Sequence, residues 1–262
     1  MENKVVLISI DGMRPDAFLQ CGNPFAKELM DMCSYSLNAR TVVPAVTLPC
    51  HMSMFHSVTP DRHGVTTNVY TPPVRPIKGL FEKIEDAGGK SAMYYGWEQI
   101  CEVARCGNTR WSEYLEAYTE PDTDALLTES AINRIQKSKP DFVFLYLVEV
   151  DEKGGHDCGW MSETYLKYVS TALDCVKRVI DVTKGEYTVV ITADHGGKGR
   201  GHGYMPPIEE DLVIPMFFYG KDFMRGKVLE NVEIIDIPPT IADVMGVDFA
   251  PEWEGKSLKS VK

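Results

Sequence analysis

The sequence lacks any apolar run close to the roughly 20 residues that a membrane-spanning helix requires, so no membrane association is expected. Only five apolar residues lie between Lys4 and Asp11, which is too few for the core of a secretion signal. Basic residues are also scarce, since 27 Lys and Arg stand against 38 Asp and Glu and give a net charge of −11. Nucleic-acid binding needs clustered basic side chains, so no nucleic-acid polymer is expected as a partner.

The seven cysteines are odd in number and contain no CxxC spacing, which is typical of reduced thiols rather than of a disulfide framework. Without a secretion signal, this pattern predicts a cytoplasmic protein. No repeat, low-complexity tract or Gly/Ser linker divides the chain. We therefore expect residues 1–262 to form one domain, with 96–122 as a candidate small cap; the sequence indicates no oligomeric state.

Apolar runs rich in β-branched residues alternate with segments of helical periodicity. Buried strands are predicted at 5–10, 91–97, 142–148, 187–193 and 212–220. Helices are predicted at 78–90, 124–137 and 161–183. Pro215 places the run at 212–220 at a sheet edge or at the start of a strand. This alternation predicts an α/β fold, a three-layer α/β/α sandwich with a mainly parallel central sheet.

Acidic residues follow three of the predicted strands. Asp11 and Asp194 come directly after their strands, and Asp151 follows its strand within three residues. Because ligands of open α/β sheets gather at the carboxyl ends of the strands, we expect these side chains to converge. Each one taken singly is an ordinary helix cap or turn residue. Three carboxylates held together need neutralising, and a divalent metal ion does this.

Three of the six histidines lie in glycine-rich loops after the same strands: His156, His195 and His202. A single histidine in such a loop is more often a surface or hydrogen-bonded residue. Imidazole and carboxylate together form a good ligand set for zinc, and also for manganese or iron. The combination therefore predicts a metal site.

A candidate nucleophile lies in the segment 41–68. Thr47, followed by Leu48 and Pro49, is predicted at the start of a helix, where backbone N–H groups favour anions. A threonine hydroxyl becomes a nucleophile when a metal ion removes its proton. The alternative is that Thr47 only caps the helix, and its position alone does not separate the two.

Four segments together resemble the alkaline phosphatase superfamily, and within it the type I phosphodiesterase/nucleotide pyrophosphatase family. The segments, in the family's order, are VVLISIDGMRPD at 5–16, VPAVTLPCHMSMFHSVTPDRHGV at 43–65, the loop from Asp151 to His156, and ITADHGGKGRGHG at 191–203. EEDLVIPMFFYG at 209–220 continues the pattern. The resemblance implies an alkaline-phosphatase-like fold that holds two divalent metal ions, usually zinc.

The resemblance also implies a role for each matching residue. One metal would be held by Asp11, Thr47, Asp194 and His195, and the second by Asp151, His156 and His202. Asn68 matches an asparagine that binds a phosphoryl oxygen in related enzymes. Thr47 would attack phosphorus in line, with the two metals about 4 Å apart clamping the phosphoryl group. Water would then hydrolyse the phospho-threonine intermediate.

The chain departs from the family pattern at three points. Cys50 stands where the family's phosphodiesterases usually have asparagine. Asp151 and His156 are five residues apart instead of four, so either Glu152 is the ligand or the pair Gly154 and Gly155 absorbs an extra residue. We favour Asp151, which lies closer to the strand. The chain is also short for the superfamily, which suggests an open site.

The expected function is hydrolysis of a small phosphodiester or nucleotide pyrophosphate. Alternatives in the same superfamily are a phosphomonoesterase and a phosphonate hydrolase. A sulfatase is disfavoured because TLPCH lacks the sulfatase signature, and a phosphomutase because of the threonine and the chain length. A non-catalytic metal-binding module on a degenerate fold is the alternative of another class. Candidates for stacking on a nucleotide base are Tyr70, Trp97, Trp111 and Trp160.

Overall fold

The computed structural model describes residues 1, 3–105 and 107–260, and its centre is a seven-stranded sheet. The strands are β1 (Lys4–Ile10), β2 (Ser34–Arg40), β3 (Ser91–Tyr95), β4 (Trp111–Tyr114), β5 (Phe142–Leu147), β6 (Tyr187–Thr192) and β7 (Val213–Tyr219). They are arranged in the order β2-β7-β6-β1-β5-β3-β4. All neighbours from β6 to β4 pair in parallel, while β7 is antiparallel to β2 and β6. The prediction of a mainly parallel sheet is confirmed.

Helices cover both faces of this sheet. They are α1 (Pro15–Gln20), α2 (Phe25–Met32), α3 (Thr47–His56), α4 (Pro60–His63), α5 (Leu80–Asp86), α6 (Thr123–Ser138), α7 (Glu163–Thr183), α8 (Glu209–Leu212) and α9 (Ile237–Met245). The helix α7 packs against α1, α2 and α6, whereas α9 packs against α3 and α5. Two layers of helices thus enclose the sheet, as the α/β/α prediction requires. None of the helices in the described part combines the length and apolar character needed to cross a membrane.

The central strands are buried on both faces, which explains their continuous apolar sequences. Every residue of β5 and β6 is buried, and only Lys4 of β1 is partly exposed. Because the side chains of a strand alternate between faces, such burial requires apolar residues at successive positions. Phe144 packs edge-on against Phe55 of α3, with ring centroids 4.8 Å apart, and so joins the sheet to the helix that begins at Thr47.

Most predicted elements form within a few residues of their expected positions, but β7 differs. Of the two positions predicted for Pro215, a sheet edge or the start of a strand, the sheet edge is wrong, because β7 lies between β2 and β6. Pro215 is the third residue of β7, before the first pair with β6 at Met216, and the register with β2 shifts between Ser36 and Ala39. The proline therefore occupies an interruption of the ladders, where its missing N–H is tolerated.

The segment 96–122 contributes a 3₁₀ turn at Glu98–Val103 and the edge strand β4. Neither β4 nor β2 was predicted from the sequence. Cys106, which is predicted to be an ordinary thiol, lies outside the described residues.

The register of the three central strands brings their carboxyl ends level. Ile10 pairs with Leu147, and Ser9 pairs with Thr192, so β1, β5 and β6 end at the same edge. The residues that follow these strands therefore meet at one place, as expected for the ligand side of an open α/β sheet.

Candidate metal centre and nucleophile

Three buried carboxylates lie at this edge of the sheet. Asp11, Asp151 and Asp194 are 1%, 4% and 0% exposed. Each has one oxygen that is buried without a hydrogen-bond partner: Oδ1 of Asp11, Oδ1 of Asp151 and Oδ2 of Asp194. Buried polar atoms are nearly always paired, so three unpartnered carboxylate oxygens together indicate a place for cations.

The environment of Asp11 and Asp194 disfavours negative charge when no cation is bound. Burial raises the pKa of Asp11 well above its ordinary value, and the charges of Asp194 and Asp151 raise it further. Burial likewise raises the pKa of Asp194. Their remaining oxygens are fixed by neighbours, because the Tyr146 hydroxyl donates to Oδ2 of Asp11 and the Gly12 N–H donates to Oδ1 of Asp194 at 3.2 Å.

The three loop histidines present the same ring nitrogen for binding. Their Nδ1 atoms lie 3.0, 2.8 and 3.0 Å from backbone carbonyl oxygens: His156 with Arg200, His195 with Gly196, and His202 with Ala45. A carbonyl oxygen only accepts hydrogen bonds, so Nδ1 carries the proton in each neutral ring and Nε2 keeps its lone pair. Backbone carbonyls commonly fix metal-binding histidines in this way.

The ligand atoms form two overlapping groups. Those of Asp11, Asp194 and His195 lie within 4.8 Å of one another, and so do those of Asp151, His195 and His202. His156 adjoins the second group, since its Nε2 lies 3.2 Å from Oδ2 of Asp151. The unpartnered oxygens and the fixed Nε2 atoms fit divalent cations with nitrogen and oxygen ligands.

In the absence of a cation, His195 and His156 differ in their protonation. Burial holds the pKa of His195 well below its usual range, and the nearby His202 lowers it further. His195 is therefore neutral and able to coordinate. In contrast, the hydrogen bond between His156 and Asp151 raises the pKa of His156 to about 9. A proton on His156 thus partly replaces a cation beside Asp151, and it has to leave before Nε2 can bind a metal.

A π-helical turn at Val150–His156 accommodates the unusual five-residue spacing. Hydrogen bonds in a π-helix join residues five apart, so Asp151 and His156 lie one turn apart on the same side. Gly154 and Gly155 are buried within it, and a Cβ on Gly155 would lie 2.6 Å from the Trp160 ring. The glycine pair therefore lets the turn pack closely, in agreement with the assignment of Asp151.

Glu152 lies in a different environment from Asp151. It is only partly buried, and its Oε2 accepts a hydrogen bond from the Tyr118 hydroxyl at 3.0 Å. Its side chain lines the cleft above the carboxylates but belongs to neither group of ligand atoms. This geometry favours Asp151 over Glu152 as the candidate ligand.

Thr47 is the first residue of α3, and the helix is preceded by Val46 at the cap position. Its Oγ1 lies 3.2 Å from Nε2 of His195, so the hydroxyl contacts the metal-ligand candidates and is not a helix cap. Asn68 lies beside it, and Oδ1 of Asn68 accepts a hydrogen bond from the Leu48 N–H at 3.0 Å. With Oδ1 used in this way, the amide NH₂ of Asn68 is the group left to donate to a substrate oxygen.

Two residues that were not predicted from the sequence, His51 and Ser9, support the position of Thr47. His51, one turn further along α3, donates from Nδ1 to the Thr47 carbonyl oxygen at 2.8 Å and accepts from the Ser9 hydroxyl at 3.0 Å. Burial lowers the pKa of His51 to about 4, so the ring is neutral. Cys50 is buried next to it and contacts the Thr41 hydroxyl at 3.2 Å. Polar residues among the apolar positions of a buried helix were the available signal.

A pair of buried acidic residues also fixes the segment that leads into the π-helical turn. Both oxygens of Asp124, on α6, accept backbone N–H groups, from Val148 at 2.9 Å and from Glu149 at 3.2 Å. In return, Glu149 accepts the Thr123 N–H at 3.0 Å and pairs with Lys153. We call these reciprocal contacts between 123–124 and 148–149 the α6 clasp.

The cleft over these groups has a volume of about 130 Å³. It is lined by Asp11, Thr47, Asn68, Trp97, Tyr118, Tyr146, Val148, Asp151, Glu152, His156 and His202. Of the aromatic residues considered for base stacking, Trp97 lies in this lining. Trp160 is buried beneath it, where its ring meets His156 edge-on at 5.3 Å, and Trp111 packs under Arg134.

Comparison with known proteins identifies a family and a fold that this chain shares. A family model described as type I phosphodiesterase / nucleotide pyrophosphatase matches residues 5–200. Among curated proteins, a 2,3-bisphosphoglycerate-independent phosphoglycerate mutase of Clostridium acetobutylicum is 31% identical over 136 residues. The match covers 50% of this chain and 26% of the mutase. The chain thus spans about a quarter of the length of such relatives.

Solved structures share the fold at low sequence identity. Murine ectonucleotide pyrophosphatase / phosphodiesterase 5 has a TM-score of 0.80 and 13% identity, over 99% of this chain and 98% of that one. A phosphonate monoester hydrolase from Silicibacter pomeroyi has a TM-score of 0.75 and 15% identity, over 98% and 76%. A putative sulfatase from Bacteroides thetaiotaomicron has a TM-score of 0.76 and 15% identity, over 98% and 74%. The alkaline-phosphatase-like fold is confirmed.

Proposed function

The chain belongs to the type I phosphodiesterase / nucleotide pyrophosphatase family, and from this premise we propose that it is a two-metal hydrolase of small phosphodiesters or nucleotide pyrophosphates. The observation that carries the proposal is the position of Thr47. Its hydroxyl lies 3.2 Å from His195, beside carboxylate oxygens that have no other partner. A hydroxyl placed among candidate metal ligands is in a position where metal coordination can activate it as the nucleophile of phosphoryl transfer.

The residues at the edge of the sheet fit two cations, with zinc as the proposed metal. One would be held by Asp11, Thr47, Asp194 and His195. The other would be held by Asp151, His156 and His202. When bound, the ions supply Lewis acidity, which favours ionisation of a hydroxyl and neutralises charge on phosphoryl oxygens.

The protein's own groups then orient the reaction. Oγ1 of Thr47 attacks phosphorus, so that an O–P bond forms while the bond to the leaving oxygen breaks. The N-terminus of α3 and the amide NH₂ of Asn68 hold the anionic phosphoryl oxygens. His51 fixes the backbone of Thr47 through its carbonyl oxygen. Water then attacks the phospho-threonine, which restores the hydroxyl and releases the product.

The first test replaces the nucleophile. Thr47→Ala is expected to lower kcat by at least about a thousandfold, because no covalent intermediate can form. Thr66→Ala, at an exposed position near Asn68, serves as the matched control. Metal content is measured for both by plasma mass spectrometry, and wild-type protein quenched during turnover is searched for a phosphoryl group on the Thr47 peptide. Turnover by Thr47→Ala at the wild-type rate would contradict the assignment.

A second measurement selects the substrate class. Zinc- and manganese-loaded protein is assayed on bis(p-nitrophenyl) phosphate and on p-nitrophenyl phosphate, each with and without a chelator. The proposal predicts chelator-sensitive turnover with a higher kcat/KM for the diester. A preference for the monoester would assign a phosphatase instead. Absence of both bound metal and turnover would support a non-catalytic module.

A further inference from the structure

The cleft carries more negative charge than its proposed metal ligands account for. Its described lining contains no lysine or arginine, although it contains Glu152 in addition to Asp11 and Asp151. We propose that Glu152, held by Tyr118, is a specificity-determining residue that disfavours dianionic phosphoryl groups and so selects monoanionic esters. This inference rests on the proposed function of the same site and deepens it.

Glu152 is built into a fixed position. The Tyr118 hydroxyl donates to its Oε2 at 3.0 Å, and Glu152 follows Asp151 within the π-helical turn. Its backbone N–H donates to the Val148 carbonyl at 3.1 Å, which ties the residue to the end of β5. Tyr118 comes from the segment 96–122, so the carboxylate is oriented by two parts of the chain. Because both its backbone and its carboxylate are hydrogen-bonded, the negative charge of Glu152 stays at one position in the cleft.

The charge balance of the occupied site decides the effect of this carboxylate. Two divalent cations bring four positive charges, and the ionised carboxylates of Asp11, Asp151 and Asp194 neutralise three of them. One positive charge remains for the nucleophile and the substrate together. A phosphodiester adds a single negative charge, whereas a phosphate monoester brings two at neutral pH.

The carboxylate of Glu152 adds a negative charge that repels the second negative charge of a phosphate monoester. Because no lysine or arginine of the described lining offsets it, and the histidines there are proposed metal ligands, a dianion meets repulsion that a monoanion largely avoids. Glu152 lies outside both groups of ligand atoms, so its charge is not used in holding either of the proposed cations.

The experiment compares Glu152→Gln, which removes the charge, with Glu152→Asp, which keeps it. Glu163→Gln, at an exposed position in the first turn of α7, is the matched control. For Glu152→Gln we expect the ratio of kcat/KM for bis(p-nitrophenyl) phosphate to that for p-nitrophenyl phosphate to fall roughly tenfold, a typical effect of one like charge. Glu163→Gln is expected to keep the wild-type preference, and Glu152→Asp, which keeps the charge but withdraws it from Tyr118 by one methylene group, is expected to keep most of it.

Binding provides a readout that does not depend on turnover. Calorimetry of the metal-loaded proteins at pH 8 compares inorganic phosphate, which is mostly a dianion, with dimethyl phosphate, a monoanion. Glu152→Gln is expected to bind inorganic phosphate about tenfold more tightly, while the affinity for dimethyl phosphate changes much less. Metal content is measured on the same samples.

Two results would overturn the inference. One is an unchanged preference for both esters and both anions in Glu152→Gln. The other is loss of a bound metal from that variant, which would make Glu152 a ligand. Failure of the proposed function has a different signature, because wild-type protein with two metals would then hydrolyse neither ester, while the anion-binding comparison would still test Glu152.

Discussion

Gly12 lies between the candidate ligands Asp151 and Asp194. Its lack of a side chain allows the backbone at this position to lie close to the Asp151 carboxylate. It has φ of +64°, and a Cβ at this position would lie 2.6 Å from Oδ1 of Asp151. The same residue donates its N–H to Asp194 and its carbonyl oxygen accepts from Trp160. A single glycine therefore lets the turns after β1 and β5 pack against each other.

We predict that Gly12→Ala weakens metal binding beyond its effect on folding. Gly22 is a matched control, because its φ is +74° and no atom lies within 4 Å of its Cβ position. Both substitutions are expected to cost about 1 kcal/mol of stability through backbone strain. Only Gly12→Ala displaces the Asp151 carboxylate. Metal titrations and urea unfolding of both variants check this, and equal metal affinities would refute it.

At the level of elements, the α6 clasp connects a helix on one face of the sheet to the turn that carries Asp151 and His156. Asp124 is 2% exposed and satisfies two backbone N–H groups that have no strand partner at the end of β5. Burial, followed by the charge of Glu149, raises the pKa of Asp124. The clasp thus supplies acceptor oxygens to backbone N–H groups in the interior, although burial disfavours a charge on Asp124.

Removing the acceptors is expected to loosen this turn. Asp124→Ala leaves the N–H groups of Val148 and Glu149 unsatisfied, which costs about 2–6 kcal/mol at 1–3 kcal/mol for each. Asp124→Asn retains an acceptor oxygen and should recover part of the loss. Urea unfolding and metal affinity measure both effects. Identical stabilities for Asp124→Ala and the wild type would contradict the role of the clasp.

The sequence predicts the elements whose own residues decide their structure. The continuous run at 142–148 and the amphipathic segment at 161–183 form β5 and α7 almost as predicted. By contrast, β2 has the sequence SYSLNAR and a half-exposed pattern, and it becomes a strand because β7 offers it a partner. The edge strand β4 is similar, with only four residues, which pair with β3. Such strands depend on pairing across the sheet, which local periodicity does not encode.

In the candidate site, the ligand candidates could be predicted from the sequence, but the residues that orient them could not. Asp11, Asp194 and His195 follow apolar strands directly, so sequence order alone brings them to one edge. The roles of Tyr146 and Asp124 depend on side-chain directions and on contacts between segments more than 20 residues apart. Ligand candidates can thus be predicted from strand ends, whereas the groups that orient them follow only from the packed structure.

For the whole molecule, metal removal is expected to reduce stability, and more so at higher pH. The folded-state pKa values of Asp11 and Asp194 are raised above those of the unfolded chain. In the metal-free protein, their contribution to stability is therefore present below the unfolded pKa near 4 and is lost as pH rises through the folded values. Bound cations remove this penalty, because they stabilise the ionised carboxylates.

The prediction is tested by comparing the Tm of metal-loaded and chelator-treated protein at pH 5.5 and pH 8. The difference is expected to be on the order of 10 °C at pH 8, for ligand near a thousand times its Kd. It should be smaller at pH 5.5. Buried histidines outside the site, such as His56 and His63, titrate in both samples and cancel in the difference. A difference that grows toward low pH would refute this account.

The π-helical turn at Val150–His156 allows a longer spacing between the two candidate ligands it carries. An α-helical turn brings residues four apart to the same side, whereas this turn does so for residues five apart. An insertion of one residue between Asp151 and His156 is therefore absorbed as a local bulge, and neither the strand before it nor α7 after it has to move. The geometry of this site therefore depends on the angle between the Asp151 and His156 side chains around the helix axis, and not on one fixed number of residues between them.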